Sequence, residues 1–236
     1  IKQQLAAFRE EKGCRINCRG IGKSLEITTH GVSAHGADPD QGVNAISIMM
    51  EFLGRLNFAN ESTNDFVKFY NEHIGYDLHG ERAGCAFEDD QSGRLIFNVG
   101  MIALDRKTVQ LTINIRYPVT MDAEEVYSGL MTVLDSYDLG IVKGQHQEPI
   151  YMPADSPLIT KLMDIYRKHT GDESCKSVVI GGGTYARAMD NIIAFGARFP
   201  ERPELTHQKN EKISEDDLVK MAQIYAEAVW ALSEME

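Results

Sequence analysis

Across residues 110–117 apolar and polar side chains alternate without a break: Leu111, Ile113 and Ile115 belong to one face, Thr112, Asn114 and Arg116 to the other. A strict period of two marks a strand with one buried and one wetted face. Pro118 cannot donate to a ladder and ends it. Such a strand needs antiparallel neighbours and a helical layer on its apolar side. The flanking sequence supplies candidates for both. Residues 24–29 (Leu25, Ile27), 94–99 and 140–143 read as further strands. Residues 44–53 and 66–74 read as helices, and so does the stretch capped by Asp122 that carries Val126, Leu130, Val133 and Leu134. The order strand, helix, strands, helix, strand is that of a split βαβ sandwich.

The pattern changes after Ile150. Ser156-Pro157 is a hydroxyl cap followed by proline at the first helical position. Leu158, Leu162, Ile165 and Tyr166 form the apolar stripe of that helix, and Gly171 closes it. Residues 177–180 read as a short buried strand running into Gly181-Gly182-Gly183-Thr184, and residues 192–196 as another. Ser214 with Asp217 reads as a capping box opening a helix with Leu218, Met221, Tyr225, Val229 and Leu232. Two domains are expected, 1–150 and 151–236.

Charge narrows the function. Lys and Arg number 24 against 35 Asp and Glu, a net −11. That balance repels a phosphate backbone, and no apolar run reaches the length of a membrane span, so neither nucleic acid nor a membrane is an expected partner. Cys14 and Cys18 lack a second pair at zinc-ribbon distance. All four cysteines, with Cys85 and Cys175, read as reduced thiols of a cytoplasmic protein. Ile1 stands where methionine would, with a helical pattern (Leu5, Ala6, Phe8, Arg9) already under way. A piece of a longer chain is expected.

Four places could carry chemistry. His35 lies in a loop of small residues (Ser33, Ala34, Gly36, Ala37) between a strand and a helix, where backbone or ligand can approach closely. The plain alternative is a loop histidine bonded to its own turn. Arg116 ends the alternating strand, and a guanidinium there can clamp a carboxylate through two parallel hydrogen bonds; an exposed sheet charge is the alternative. The Gly181–Thr184 turn follows a strand-like segment, and its N–H groups could face an anion. It lacks the lysine and glycine spacing of a phosphate loop. His207 lies in a polar loop before the last helix and is either a metal ligand or a surface histidine.

Together these motifs resemble a known pattern. Gly31-Val32-Ser33-Ala34-His35-Gly36-Ala37, with Pro39, Gly42, Asn44 and Ala45, is similar to the lid signature of the zinc-dependent aminoacylase, carboxypeptidase and dipeptidase superfamily. Phe97-Asn98-Val99-Gly100-Met101-Ile102, Asn114-Ile115-Arg116-Tyr117-Pro118, Gly181-Gly182-Gly183-Thr184-Tyr185-Ala186-Arg187 and Thr206-His207-Gln208-Lys209-Asn210-Glu211 resemble its peptidase V branch of dipeptidases. The resemblance implies a ferredoxin-like lid with an added subdomain at 57–92, followed by the C-terminal part of a mixed-sheet α/β zinc-peptidase domain. It implies removal of the N-terminal residue from dipeptides at a two-zinc site. His35 matches the lid histidine that stabilises the oxyanion, and Arg116 the arginine that holds the substrate carboxylate. Gly182, Gly183 and Thr184 match backbone at that same end of the substrate, and His207 matches a metal ligand.

The family's remaining ligands and its general base precede the lid, and no stretch before Gly20 matches them. The 236-residue chain is therefore expected to be inactive alone and to hold no metal stably. The insertion at 57–92 implies a monomer. Deacylation of N-acyl amino acids, and a non-catalytic binding or dimerisation module, are the alternative readings.

Overall fold

A computed structural model describes every residue except 106, 197, 198, 204, 207, 208 and 236. The chain falls into two units, Ile1–Gln147 and Glu148–Glu236.

The first unit begins with α1 (Lys2–Lys12), closed by Gly13 in the left-handed region at φ 60°. β1 (Arg15–Ile21) and β2 (Ser24–His30) follow as an antiparallel hairpin with Ile16 opposite Thr29. β1 was not expected from the sequence, because Ile16 and Cys18 are its only inward apolar residues. α2 (Ala45–Leu53) is capped by Asn44, whose side chain accepts from Ile46 N at 2.8 Å. Leu5, Phe8, Ile16, Ile48 and Phe52 form one small core among α1, β1 and α2, with Cys14 and Cys18 packed against it. The two thiols thus serve as apolar filling there.

α3 (Glu61–His73), the short pair β3 (Glu88–Asp89) and β4 (Gly93–Arg94), β5 (Ile96–Leu104), β6 (Val109–Arg116) and α4 (Ala123–Leu134) complete the unit. β5 and β6 pair antiparallel, Phe97 opposite Ile115 and Asn98 opposite Asn114, with an irregularity between Val99 and Met101. The apolar face expected of residues 110–117 is buried as the period of two demands. Phe97 and Val99, with Ile113 and Ile115 at the margin, pack with Met50, Phe66, Phe69, Tyr70, Val126 and Leu130. At roughly 1.5–3 kcal/mol for each fully buried large side chain, this layer is what holds the hairpin to its helices. A true capping box starts α4: Asp122 accepts from Glu124 N, and Glu125 accepts from Asp122 N at 3.0 Å.

The four-stranded split βαβ sheet is not formed among the described residues; the six strands make three separate two-stranded sheets. Residues 140–143 are irregular: Ile141 packs at the core margin while Val142 is 94% exposed. Residues 57–92, expected as an added subdomain, share the main core through Phe66, Val67, Phe69, Tyr70, Ile74 and Cys85. Phe97 N also donates to Leu78 O at 2.8 Å.

The second unit contains α5 (Pro157–Thr170) and α6 (Glu215–Ser233), both started by serine caps. Leu162, Ile165, Phe199, Ile224 and Ala228 bury one face of each. Ser214 accepts from Asp217 N at 3.1 Å, but the Asp217 carboxylate is held by Arg202 through two bonds of 2.7 and 2.8 Å. No strand occurs among the described residues of this unit, so the expected mixed sheet is absent there. Residues 177–180 are irregular and exposed, Val178 at 81%. In residues 192–196, Ile193 and Phe195 reach the core from irregular backbone. β-branched side chains favour a strand only when a neighbouring strand can cover them. Among the described residues of both units, no helix is long and apolar enough to cross a membrane.

Candidate functional site

The wetted face of β5 and β6 is the floor of the site. Asn98 and Asn114 face each other across the ladder, and Arg116 lies one pair further along on the same face. Arg116 Nε donates to Asn114 Oδ1 at 3.0 Å, which fixes the plane of the guanidinium. Arg116 is half-buried, and burial lowers its pKa while the charge of Asp38 raises it. A guanidinium stays protonated through any such change. What the desolvation does is strengthen its attraction for an anion.

The loop of residues 31–44 is held over this floor by its neck. Val32 and Val43 exchange both backbone hydrogen bonds, 3.0 and 2.9 Å. Gly42 permits the closure, since a Cβ there would stand 2.6 Å from Val32 O and 2.8 Å from the Ala34 Cβ. Asn44 Nδ2 donates to Val99 O at 2.8 Å and ties the end of the loop to β5. At Gly36 loop and sheet come together: a side chain there would lie 3.5 Å from Arg116 Nη2 and 3.7 Å from Asn98 Nδ2. A Cβ there would be in ordinary contact with both groups, so the loop already rests against the sheet at this point.

His35 is partly exposed beside the gap. Ala37 N–H donates to His35 Nδ1 at 3.3 Å, so the loop histidine does bond its own turn, as the plain reading held. That bond carries a consequence. With Nδ1 accepting, the neutral ring carries its proton on Nε2 and presents it as a donor. The Asp38 carboxylate lies 3.9 Å from Nδ1, beyond hydrogen-bond reach, and would form an ion pair only with the protonated ring.

Thus the loop segment that carries His35 is brought to Arg116, far away in sequence, at Gly36. Three further residues to which the sequence reading gave no role join them: Asp38, and Asn98 and Asn114 from the matched strand motifs. The period of two already placed Asn114 on the face of Arg116. Asn98 and Asp38 required the register and the loop closure.

The second unit carries the other expected residues. Thr184 caps the short helical turn Tyr185–Ala188 by accepting from Ala186 N at 3.2 Å, which leaves its O–H to donate elsewhere. Gly182 is half-buried and Gly183 exposed. His207 lies outside the described residues. Among those described, no three His, Cys, Asp or Glu side chains gather as a metal-binding group, so they do not by themselves make a metal centre.

Comparison with known proteins decides the family. The pattern of Peptidase family M20/M25/M40 matches residues 5–231. The chain belongs to this peptidase family. A protein of Staphylococcus haemolyticus named "putative dipeptidase" is 37% identical over 209 residues, 88% of this chain and 44% of the relative. One of Staphylococcus epidermidis with the same name is 38% identical over 210 residues, again 88% and 44%. Relatives in Staphylococcus aureus stand at 36% over 209 residues. The chain thus spans less than half the length of the curated relatives it matches, and a peptidase activity belongs to the family as a whole.

Proposed function

We propose that the full-length protein hydrolyses dipeptides by a metal-dependent reaction that removes the N-terminal residue, with the first unit as its substrate-binding lid. The observation that carries this reading is the approach of Gly36, the residue next to His35 in the loop, to Arg116 on the sheet. A carboxylate-binding cation and a neutral N–H donor side by side suit a short peptide that ends in a free carboxylate. Arg116, oriented by Asn114, takes the C-terminal carboxylate in a two-bond clamp. His35 Nε2–H donates to the carbonyl oxygen of the scissile amide as negative charge builds there, a role in which one donor is worth roughly 10²–10³ in rate. A third residue would move the carboxylate off the guanidinium and leave a partly desolvated cation unpaired, so the clamp measures length as well as charge.

In the second unit, the reading gives His207 the part of a metal ligand. It gives Gly182, Gly183 and Thr184 contacts at the carboxylate end of a dipeptide, with the Thr184 hydroxyl as donor. Zinc is the metal the family resemblance implies, two ions in the full-length protein. The 236-residue chain, lacking the family's other ligands and its general base, is inactive alone on this reading. The protein acts in the cytoplasm as a monomer.

The test compares Ala-Ala, Ala-Ala-Ala, Ala-Ala amide and N-acetyl-alanine as substrates of the full-length protein, with and without chelator. Cleavage of Ala-Ala is expected to exceed that of its amide and of the tripeptide by at least about tenfold, the cost of one unmade charged hydrogen bond. Chelator abolishes it and zinc restores it. Equal cleavage of the amide removes Arg116 from its role. Faster cleavage of N-acetyl-alanine makes the protein a deacylase.

A further inference from the structure

The loop over the site brings a carboxylate with it. Asp38 follows Gly36 by two residues, and its N–H donates to His35 O at 2.9 Å, which folds it back toward the gap. Its Oδ2 lies 3.9 Å from the His35 ring, and its side chain is 67% exposed. Its charge is also felt at the Arg116 guanidinium. Once a substrate carboxylate takes up the charge of Arg116, the exposed Asp38 carboxylate remains as an uncompensated negative group at this end of the loop. The α-carbon next to that substrate carboxylate carries the side chain of the dipeptide's second residue. That side chain is therefore the substrate group best placed to restore the balance. Asn98 and Asn114, the other polar side chains of the floor, are neutral and cannot.

We propose that Asp38 sets selectivity for the C-terminal residue of the dipeptide, favouring a cationic side chain and disfavouring an anionic one. This rests on the dipeptide reading above. It also separates Asp38 from His35 and Arg116: Asp38 touches the variable part of the substrate, they touch the constant part.

The experiment measures kcat/KM of the full-length protein on Ala-Lys, Ala-Ala and Ala-Glu, in the wild type, Asp38→Asn and Asp38→Lys. In the wild type the order is Ala-Lys, Ala-Ala, Ala-Glu. Asp38→Asn lowers the Ala-Lys to Ala-Ala ratio about two- to five-fold, the size of one partly exposed charge pair. Asp38→Lys inverts the preference toward Ala-Glu. Raising the salt from ~0.05 M to ~0.5 M shrinks the wild-type ratio, because the screening length falls severalfold. A role confined to holding the loop would lower all three substrates by one factor and leave the ratios unmoved by salt, and that result overturns the proposal. Cleavage of Ala-Ala with unchanged ratios overturns Asp38 alone. A wild type that cleaves none of the three overturns the dipeptide reading and this proposal with it.

Discussion

The two units use similar residues to different ends. In the first, Phe97, Val99, Ile113 and Ile115 alternate along a paired ladder and are covered by α3 and α4. In the second, Val178, Val179 and Ile180 are as β-prone as any residues in the chain, yet they stand 81%, 52% and 54% exposed on irregular backbone. The difference is the presence of a partner. A β-branched run becomes a strand when a neighbouring strand takes its hydrogen bonds and a second layer takes its apolar face. The first unit supplies both, and the described part of the second supplies neither. An alternating run therefore predicts a strand only together with the element that will cover it.

The largest effect is expected at the buried end of this contrast. Phe97→Ala, at a site 2% exposed, should cost the first unit about 3–5 kcal/mol in chemical denaturation of the 236-residue chain. A cost under about 1 kcal/mol would mean that the β5–β6 layer is not its principal support.

His35→Ala sharpens the contrast from the side of function. In the full-length protein it should lower kcat on Ala-Ala by roughly 10²–10³. The stability of the first unit should stay within about 0.5 kcal/mol, the usual range for a partly exposed loop position. Equal losses in both would make His35 a structural residue.

Acid separates the units by their carboxylates. Burial pushes the Asp89 carboxyl up, but hydrogen bonds from Ser92 and Thr120 outweigh it and pull the pKa from 3.8 to about 2. A folded pKa below the unfolded one adds stability above the unfolded value, and that stability is lost as pH falls through the folded one. The first unit should weaken between pH 3.8 and about 2, and Asp89→Asn should flatten that slope. In the second unit the Arg202 fork lowers the Asp217 pKa, so its loss also begins below the ordinary carboxylate value. The contrast is read by following Trp230 fluorescence, which reports the second unit because Trp230 lies in α6, beside far-UV circular dichroism, which reports both.

The smallest effect is expected at Val179→Ala, which should change the stability of this chain by less than about 0.5 kcal/mol. A cost near that of Phe97→Ala would show that residues 177–180 are covered after all and would erase the distinction between the units.

Much of the local structure was legible in the sequence. Asp122 and Ser156 announced their helices, because a cap is a bond between residues two or three apart and needs nothing distant. The buried face of β6 followed from its period of two. β1 was missed because two inward apolar residues make too short a pattern. The strands expected at 140–143, 177–180 and 192–196 failed for the opposite reason: their composition fits a strand, but pairing depends on a partner that composition does not contain. Asn98 and Asp38 were hidden in the candidate site for a similar reason, since a register and a loop closure bring them to Arg116.

The sequence by itself determined which residues could do chemistry: a histidine among small neighbours, an arginine on a wetted strand face, and a glycine-rich turn. These are properties of residue type and of spacing along a few positions. Only the tertiary structure decided that the loop carrying His35 and Asp38 reaches Asn98 and Arg116, and which apolar runs become strands. Each of those rests on contacts between distant segments, set by a neck of two backbone bonds at Val32 and Val43 and by a ladder register that no local pattern encodes.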